Sequence, residues 1–130
     1  MSRNKTIDVL VPDGYKPPKQ DINAAWILAR YYKTVVEILR PVNRYQVKTP
    51  DFVFNNQYYE LKVPTSSQVR QILHLLSGAK SQAVNIIVDI RKTKIAEKRA
   101  EEICQEFMRK HKKCRVYLII STDKVLDIKI

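Results

Sequence analysis

Residues 49–64 read TPDFVFNNQYYELKVP, and three side chains in that stretch can do chemistry: Asp51, Glu60 and Lys62. Strands disfavour Asp and, less strongly, Glu and Lys, yet the residues around these three are aromatic or β-branched. Asn55-Asn56 is a plausible two-residue turn, because Asn tolerates positive φ better than other non-glycine residues. A turn there pairs 54 with 57, 53 with 58, 52 with 59 and 51 with 60. Side chains alternate along a strand, so Asp51, Val53, Tyr58, Glu60 and Lys62 share one face. Phe52, Phe54, Tyr59, Leu61 and Val63 share the other, more apolar face.

An opposed Asp and Glu with a Lys two residues on can serve a metal ion and a water. Magnesium takes oxygen ligands, commonly one or two carboxylates, and fills its octahedron with water and substrate phosphate. Directly opposed strand residues have Cβ atoms about 5 Å apart, close enough to bracket one ion. Such an ion stabilises charge on a phosphate and acidifies a bound water. Lys62 on the same face can hold the attacking water or neutralise the transition state. No Cys or His lies near the pair in sequence, which favours magnesium or manganese, with zinc as a third option. The same three residues also suit the solvated face of an ordinary hairpin. Three features count against that reading. The hairpin precedes buried strands, so it is central. Like charges placed opposite each other are destabilising unless something binds them. The acids also meet in a chain that is otherwise basic.

The elements that must position these residues can be read outward from the hairpin. Residues 12–20, PDGYKPPKQ, hold three of the six prolines and one of the two glycines, so residues 1–20 read as an arm or linker. From Asp21, the spacing of Ile22, Ala25, Trp26, Ala29, Val36 and Leu39 predicts a helix capped by Asp21 and stopped by Pro41. A short polar strand is expected over 43–48. Thr65-x-x-Gln68 reads as a capping box opening a second helix, with Val69, Ile72, Leu73, Leu76, Ala79 and Ala83 inward. VNIIVDI at 84–90 and RVYLIIS at 115–121 read as buried strands. Residues 93–112 read as a charged amphipathic helix, and VLDIKI at 125–130 as an edge strand. The fold class is therefore α/β, with a central mixed sheet flanked by helices in the order α-β-β-β-α-β-α-β-β. Residues 21–130 form a single domain.

The chain has 130 residues, room for one domain and one core. Lys plus Arg number 24 against 13 acids, a formal charge of +11. That balance points to a polyanionic partner, with nucleic acid first. Arg30 and Lys33 on the leading helix, and Arg70 and Lys80 on the helix after the hairpin, are the candidate phosphate contacts. Cys104 and Cys114 are the only cysteines. Without a CxxC or paired histidines they read as buried or idle thiols. No apolar run is long enough for a membrane helix. The N-terminus has no signal-peptide pattern. The expectation is a protein that acts in the cytoplasm, or is delivered there, without a membrane partner.

Pro50-Asp51 followed by Glu60-Leu61-Lys62 resembles the PD-(D/E)xK nuclease signature. That superfamily has an αβββαβ core, which here would span roughly residues 21–90, followed by an extra αββ. Within it the chain most resembles the C-terminal tRNA-nuclease toxin domains of contact-dependent growth inhibition proteins. The pieces that carry the likeness are Glu37, PDFVFNNQYYELK, and Lys80-Ser81-Gln82-Ala83 before VNIIVDI. The resemblance implies a metal-dependent endonuclease acting on tRNA or other RNA in the bacterial cytoplasm of a target cell. It implies Asp51, Glu60, Lys62 and Gln82 as catalytic residues, and Glu37 as a metal ligand with Asp51 and Glu60. It also implies neutralisation by a cognate immunity protein, which the basic charge suggests is acidic. The chain starts at Met1 without a translocation region, so the likeness is to an excised domain or a free-standing module. Two competitors stand beside this reading. One is a DNA endonuclease of the same fold, similar to Holliday junction resolvases. The other is a non-catalytic basic nucleic-acid-binding module.

Overall fold

The computed structural model describes residues 6–42 and 49–130. Seven strands form one sheet: β1 (Asp8–Leu10), β2 (Val35–Ile38), β3 (Phe52–Phe54), β4 (Gln57–Lys62), β5 (Asn85–Asp89), β6 (Arg115–Ser121) and β7 (Lys124–Asp127). Three helices join them: α1 (Lys19–Tyr32) between β1 and β2, α2 (Val69–Ala79) between β4 and β5, and α3 (Glu97–Lys110) between β5 and β6. The strands lie in sequence order across the sheet. β1 and β2 are parallel, as are β4, β5 and β6, while β2-β3, β3-β4 and β6-β7 are antiparallel.

The parallel strands are sealed on both faces, as their continuous apolar runs require. On one face Ile86, Val88, Val116 and Leu118 pack with Ile72 and Leu76 of α2 and Ala100, Ile103 and Phe107 of α3. On the other, Phe52, Phe54, Tyr59, Leu61, Ile87 and Ile119 pack with Ala24, Ala25, Ile27 and Leu28 of α1. α1 touches β1 and β2 at one edge and β7 at the other. The sheet therefore curls around this helix.

Four expectations need correction. The leading helix does not reach Pro41. It ends at Tyr32, Lys33 takes a left-handed C-cap (φ 52°), and Val35–Ile38 continue as β2. The run Thr34-Val35-Val36 explains the switch, since β-branched residues lose χ1 freedom in a helix and pack well on a pleated surface. The helix also starts earlier, behind Pro17-Pro18, so Asp21 lies in its first turn rather than at its cap. The expected arm contributes to the fold, because β1 pairs in parallel with β2. The capping box is replaced by a different closure. The Gln71 Oε1 atom accepts from the N–H groups of Thr65 and Ser66, and α2 starts only at Val69. The strand expected over 43–48 lies outside the described residues. Cys104 and Cys114 are both buried and unpaired with each other.

Candidate metal and nucleic-acid site

The hairpin forms with the expected turn. Asn55 and Asn56 both have positive φ, 49° and 62°, the pattern of a type I′ turn. Phe54 faces Gln57, Val53 faces Tyr58 and Phe52 faces Tyr59. The regular ladder stops there, one residue before the expected pair of 51 with 60. Instead the Asp51 N–H donates to the Tyr59 carbonyl, 2.9 Å. The Asp51 carboxylate accepts from the Leu61 N–H, 2.7 Å. Asp51 thus reaches the Glu60-Leu61 step from the end of β3 rather than from directly across the ladder.

Glu60 is paired with Ile86 of β5 and Lys62 with Val88. Both side chains therefore point to the face covered by α2 and α3. Glu60 is only 3% exposed. Its Oε2 lies 3.3 Å from the Lys62 ammonium. Its Oε1 has no hydrogen-bond partner among the described residues. Burial, then the charge and hydrogen-bonding of Asp51, push the Glu60 carboxyl up to about 8, and Lys62 pulls it partly back. Two carboxylates have no donor between them, so a hydrogen bond from Glu60 to Asp51 exists only while one carries a proton. At neutral pH the pair needs a proton or a cation to be stable.

Asp21, in the first turn of α1, lies close enough to Asp51 to feel its charge. Its carboxyl is pushed up to about 6 by burial first and by the Asp51 charge second. Sequence reading placed Asp21 as a helix cap and missed this proximity, which depends on how α1 is laid against the sheet. The other residues of the sequence-based set fall in different places. Glu37 is exposed on β2, not on a helix, and pairs with Val53. It shares Glu60's face but lies two strands away and one row along, on the order of 10 Å. Toward Asp51 it is nearer, one strand away and diagonal across the β2–β3 ladder. Among the described residues no group of three or more His, Cys, Asp and Glu converges to hold a metal ion. Oxygen donors are present for an ion that needs few protein ligands, as magnesium does.

Gln82 sits in the turn after α2. With Pro50, Gln57, Tyr58, Ala83, Val84 and Asn85 it lines a cleft of about 320 Å³. This cleft adjoins the pair through Pro50 and through Tyr58, which is 58% exposed on Glu60's face. Arg70 is exposed in the first turn of α2, and Lys80 is exposed beyond its last. Arg30 does not meet the carboxylates. It lines a separate groove with Asn23, Trp26, Ile27, Arg91 and Thr122 on the α1 side of the sheet. Lys33 occupies the α1–β2 corner, next to Thr34, whose hydroxyl donates to Asn55 Oδ1 at the hairpin tip. Trp26 is half-buried at that groove.

One solved structure, described as a CdiA-CT/CdiI toxin and immunity complex from Burkholderia pseudomallei, contains a chain with the same fold. The TM-score is 0.71 at 19% identity, and the match covers 95% of this chain and 99% of that one. No curated protein sequence matches. The family model for the contact-dependent growth inhibition CdiA C-terminal domain matches residues 48–125, from the start of the hairpin segment through β6 into β7. The chain therefore belongs to the contact-dependent growth inhibition CdiA C-terminal domain family.

Proposed function

We propose that this domain is a divalent-metal-dependent endonuclease of the PD-(D/E)xK type that hydrolyses RNA, with tRNA as the favoured substrate. We further propose that it acts as a delivered toxin in the cytoplasm of a target bacterium. The observation that carries the reading is the buried Glu60 carboxyl with one unpartnered oxygen, set against Asp51 and paired with Lys62. A buried carboxyl set against a second, half-buried one is costly to keep for stability alone, and such groups concentrate at functional sites. Asp51 and Glu60 would hold a magnesium or manganese ion, which when bound neutralises phosphate charge and makes water a better nucleophile. The Leu61 N–H fixes the Asp51 carboxylate. Lys62 keeps its ammonium at the edge of the pair, where it can donate to a non-bridging phosphate oxygen as charge develops. Gln82 and Tyr58 line the cleft that would take the neighbouring nucleotide. Membership of the CdiA family supports the toxin role. The toxin and immunity complex of the structural neighbour supports a cognate immunity partner here.

The test is incubation of the purified protein and its Glu60→Gln variant with total bacterial RNA and with plasmid DNA, each with Mg²⁺ and with EDTA. Metal-dependent RNA cleavage by the wild type alone is expected. Cleavage confined to DNA would move the assignment to the DNA endonuclease. Full activity in EDTA would remove the metal mechanism.

A further inference from the structure

The end of α3 and the start of β6 carry Arg109, Lys110, Lys112, Lys113 and Arg115, with no acid between them. Sequence reading assigned this run no role. Lys110 is paired with Glu106 at 3.7 Å. Lys112, Lys113 and Arg115 are exposed, and so is Lys80 at the end of α2. None of these four has an ion-pair partner among the described residues. Two segments thirty residues apart in sequence are tied together here. The Arg115 N–H donates to the Val84 carbonyl, 2.9 Å, while the Cys114 N–H donates to the His111 carbonyl, 2.9 Å, and closes the turn within the second segment. Between the segments lies an open cleft of about 410 Å³, lined by Lys80, Ser81, His111, Lys112, Lys113 and Cys114. Burial pushes the Cys114 thiol up, and the Lys80 charge pulls it partly back, as an ammonium close beside it would.

Cations near helix C-termini have a structural use, since they complement the helix dipole. Arg109 and Lys110 already fill that role in the last turn of α3. Lys112 and Lys113 lie beyond the cap at His111 and are surplus to it. Their position relative to the site gives them another use. Ser81 and Gln82 are consecutive residues; Ser81 lines this cleft and Gln82 lines the one beside Tyr58. The two clefts thus adjoin at the Ser81-Gln82 step, and the first is lined by Pro50, next to Asp51 in sequence, and by the exposed Tyr58, two residues before Glu60 on β4. An aromatic face leading into a positive groove suits a nucleic-acid strand, with a base stacked on the ring and phosphates on the lysines.

We propose that the shelf formed by Lys80, Lys112 and Lys113 is a second contact for the RNA, binding backbone phosphates of the strand that passes Tyr58 and Gln82. This inference rests on the nuclease reading, and the test separates the two. In the Asp51→Asn background, binding of total bacterial tRNA is measured by fluorescence anisotropy from low to physiological salt. Adding Lys112→Gln with Lys113→Gln should weaken binding roughly ten-fold and reduce the log–log salt slope by about 1.5. Lys94→Gln with Lys98→Gln removes the same charge from the loop before α3 and its first turn, about 20 Å away. That control should leave affinity within about two-fold and keep the slope steeper. Equal losses in the two pairs would show a general charge effect and overturn the shelf. Unchanged binding in the Lys112/Lys113 pair would overturn it too, including the case in which only an acidic protein partner is lost. If the wild type cleaves neither RNA nor DNA yet the shelf pair weakens tRNA binding, the nuclease reading fails and the shelf stands.

Discussion

The Glu60 carboxyl, sealed from water and set against Asp51, favours its protonated form until about pH 8 in the metal-free protein. The ordinary value is 4.5, so folding raises this pKa. The stability it allows is fully present below about pH 4.5 and is lost as pH rises through about 8. Asp21, raised from 3.8 to about 6, adds a loss in the lower part of the same window. The melting temperature of the metal-free protein should therefore fall from about pH 5 to pH 8. Glu60→Gln should melt higher than wild type at pH 8 and flatten the upper half of the curve. Mg²⁺ or Mn²⁺ should raise the wild-type melting temperature at pH 8 and leave that of Glu60→Gln unchanged. A flat wild-type profile would mean that the pair is already neutralised by other groups. Lys62→Met should lose cleavage and carry the fall in stability to higher pH, because Lys62 lowers the Glu60 pKa. The shared face of Glu60 and Lys62 was legible from sequence because a two-residue turn sets the faces of a hairpin by counting. The count placed Asp51 directly opposite Glu60, whereas the ladder ends one residue short of that pair. Glu37 was misplaced because one left-handed residue, Lys33, turned its helix into a strand. Asp21 and the Lys112-Lys113 shelf could not be read at all, since their place depends on how helices dock on the sheet.

At the scale of elements, the local rules that succeeded were those with short range. The apolar run of β6 was read with its observed bounds, and β5 within one residue at each end. Both are continuous β-branched strands buried in a parallel sheet. The failures lie where tertiary pairing overrides local composition. β1 is three residues long in a proline-rich region, and only its pairing with β2 makes it a strand. The Thr65-x-x-Gln68 pattern lost to Gln71, whose side chain closes the loop from the other side. The hairpin tip offers a clean test of an element's contribution. Asn56 has φ 62°, and Asn55 accepts a bond from the Thr34 hydroxyl, so the two asparagines are not equivalent. Asn56→Gly should raise stability by a few tenths of a kcal/mol, because glycine takes the left-handed conformation without a Cβ penalty. Asn56→Ala should cost about 1 kcal/mol. Urea unfolding midpoints decide this. If alanine and glycine behave alike, the backbone at position 56 carries no strain and the hairpin is held by its flanking strands alone.

The whole molecule sets a formal charge of +11 around an acidic centre. Asp51 links two acidic neighbours, since its charge raises the carboxyl of Glu60 and that of Asp21. The unpaired lysines sit along the surface leading away from them. On the proposed RNase reading the domain would damage the host that makes it, so a producer would need a neutralising protein. The surface that such a protein must block is cationic, and a negative face is complementary to it and speeds encounter. The neutraliser should therefore be acidic, and its association rate should fall steeply as salt rises. A partner that seals the cleft beside Tyr58 and Gln82 without touching the shelf would instead show a rate nearly independent of salt. Expressing the wild-type chain in bacteria should arrest growth, and expressing Glu60→Gln at the same level should not. Co-expression of an acidic protein encoded beside the toxin should relieve the arrest. Stopped-flow association of the purified pair then separates the two modes. A steep loss of rate with salt, softened by Lys112→Gln with Lys113→Gln, places the immunity protein over the same shelf that the RNA uses. Harmless expression of a wild-type chain that cuts plasmid DNA in vitro would break this chain of reasoning at its first link, the RNA substrate.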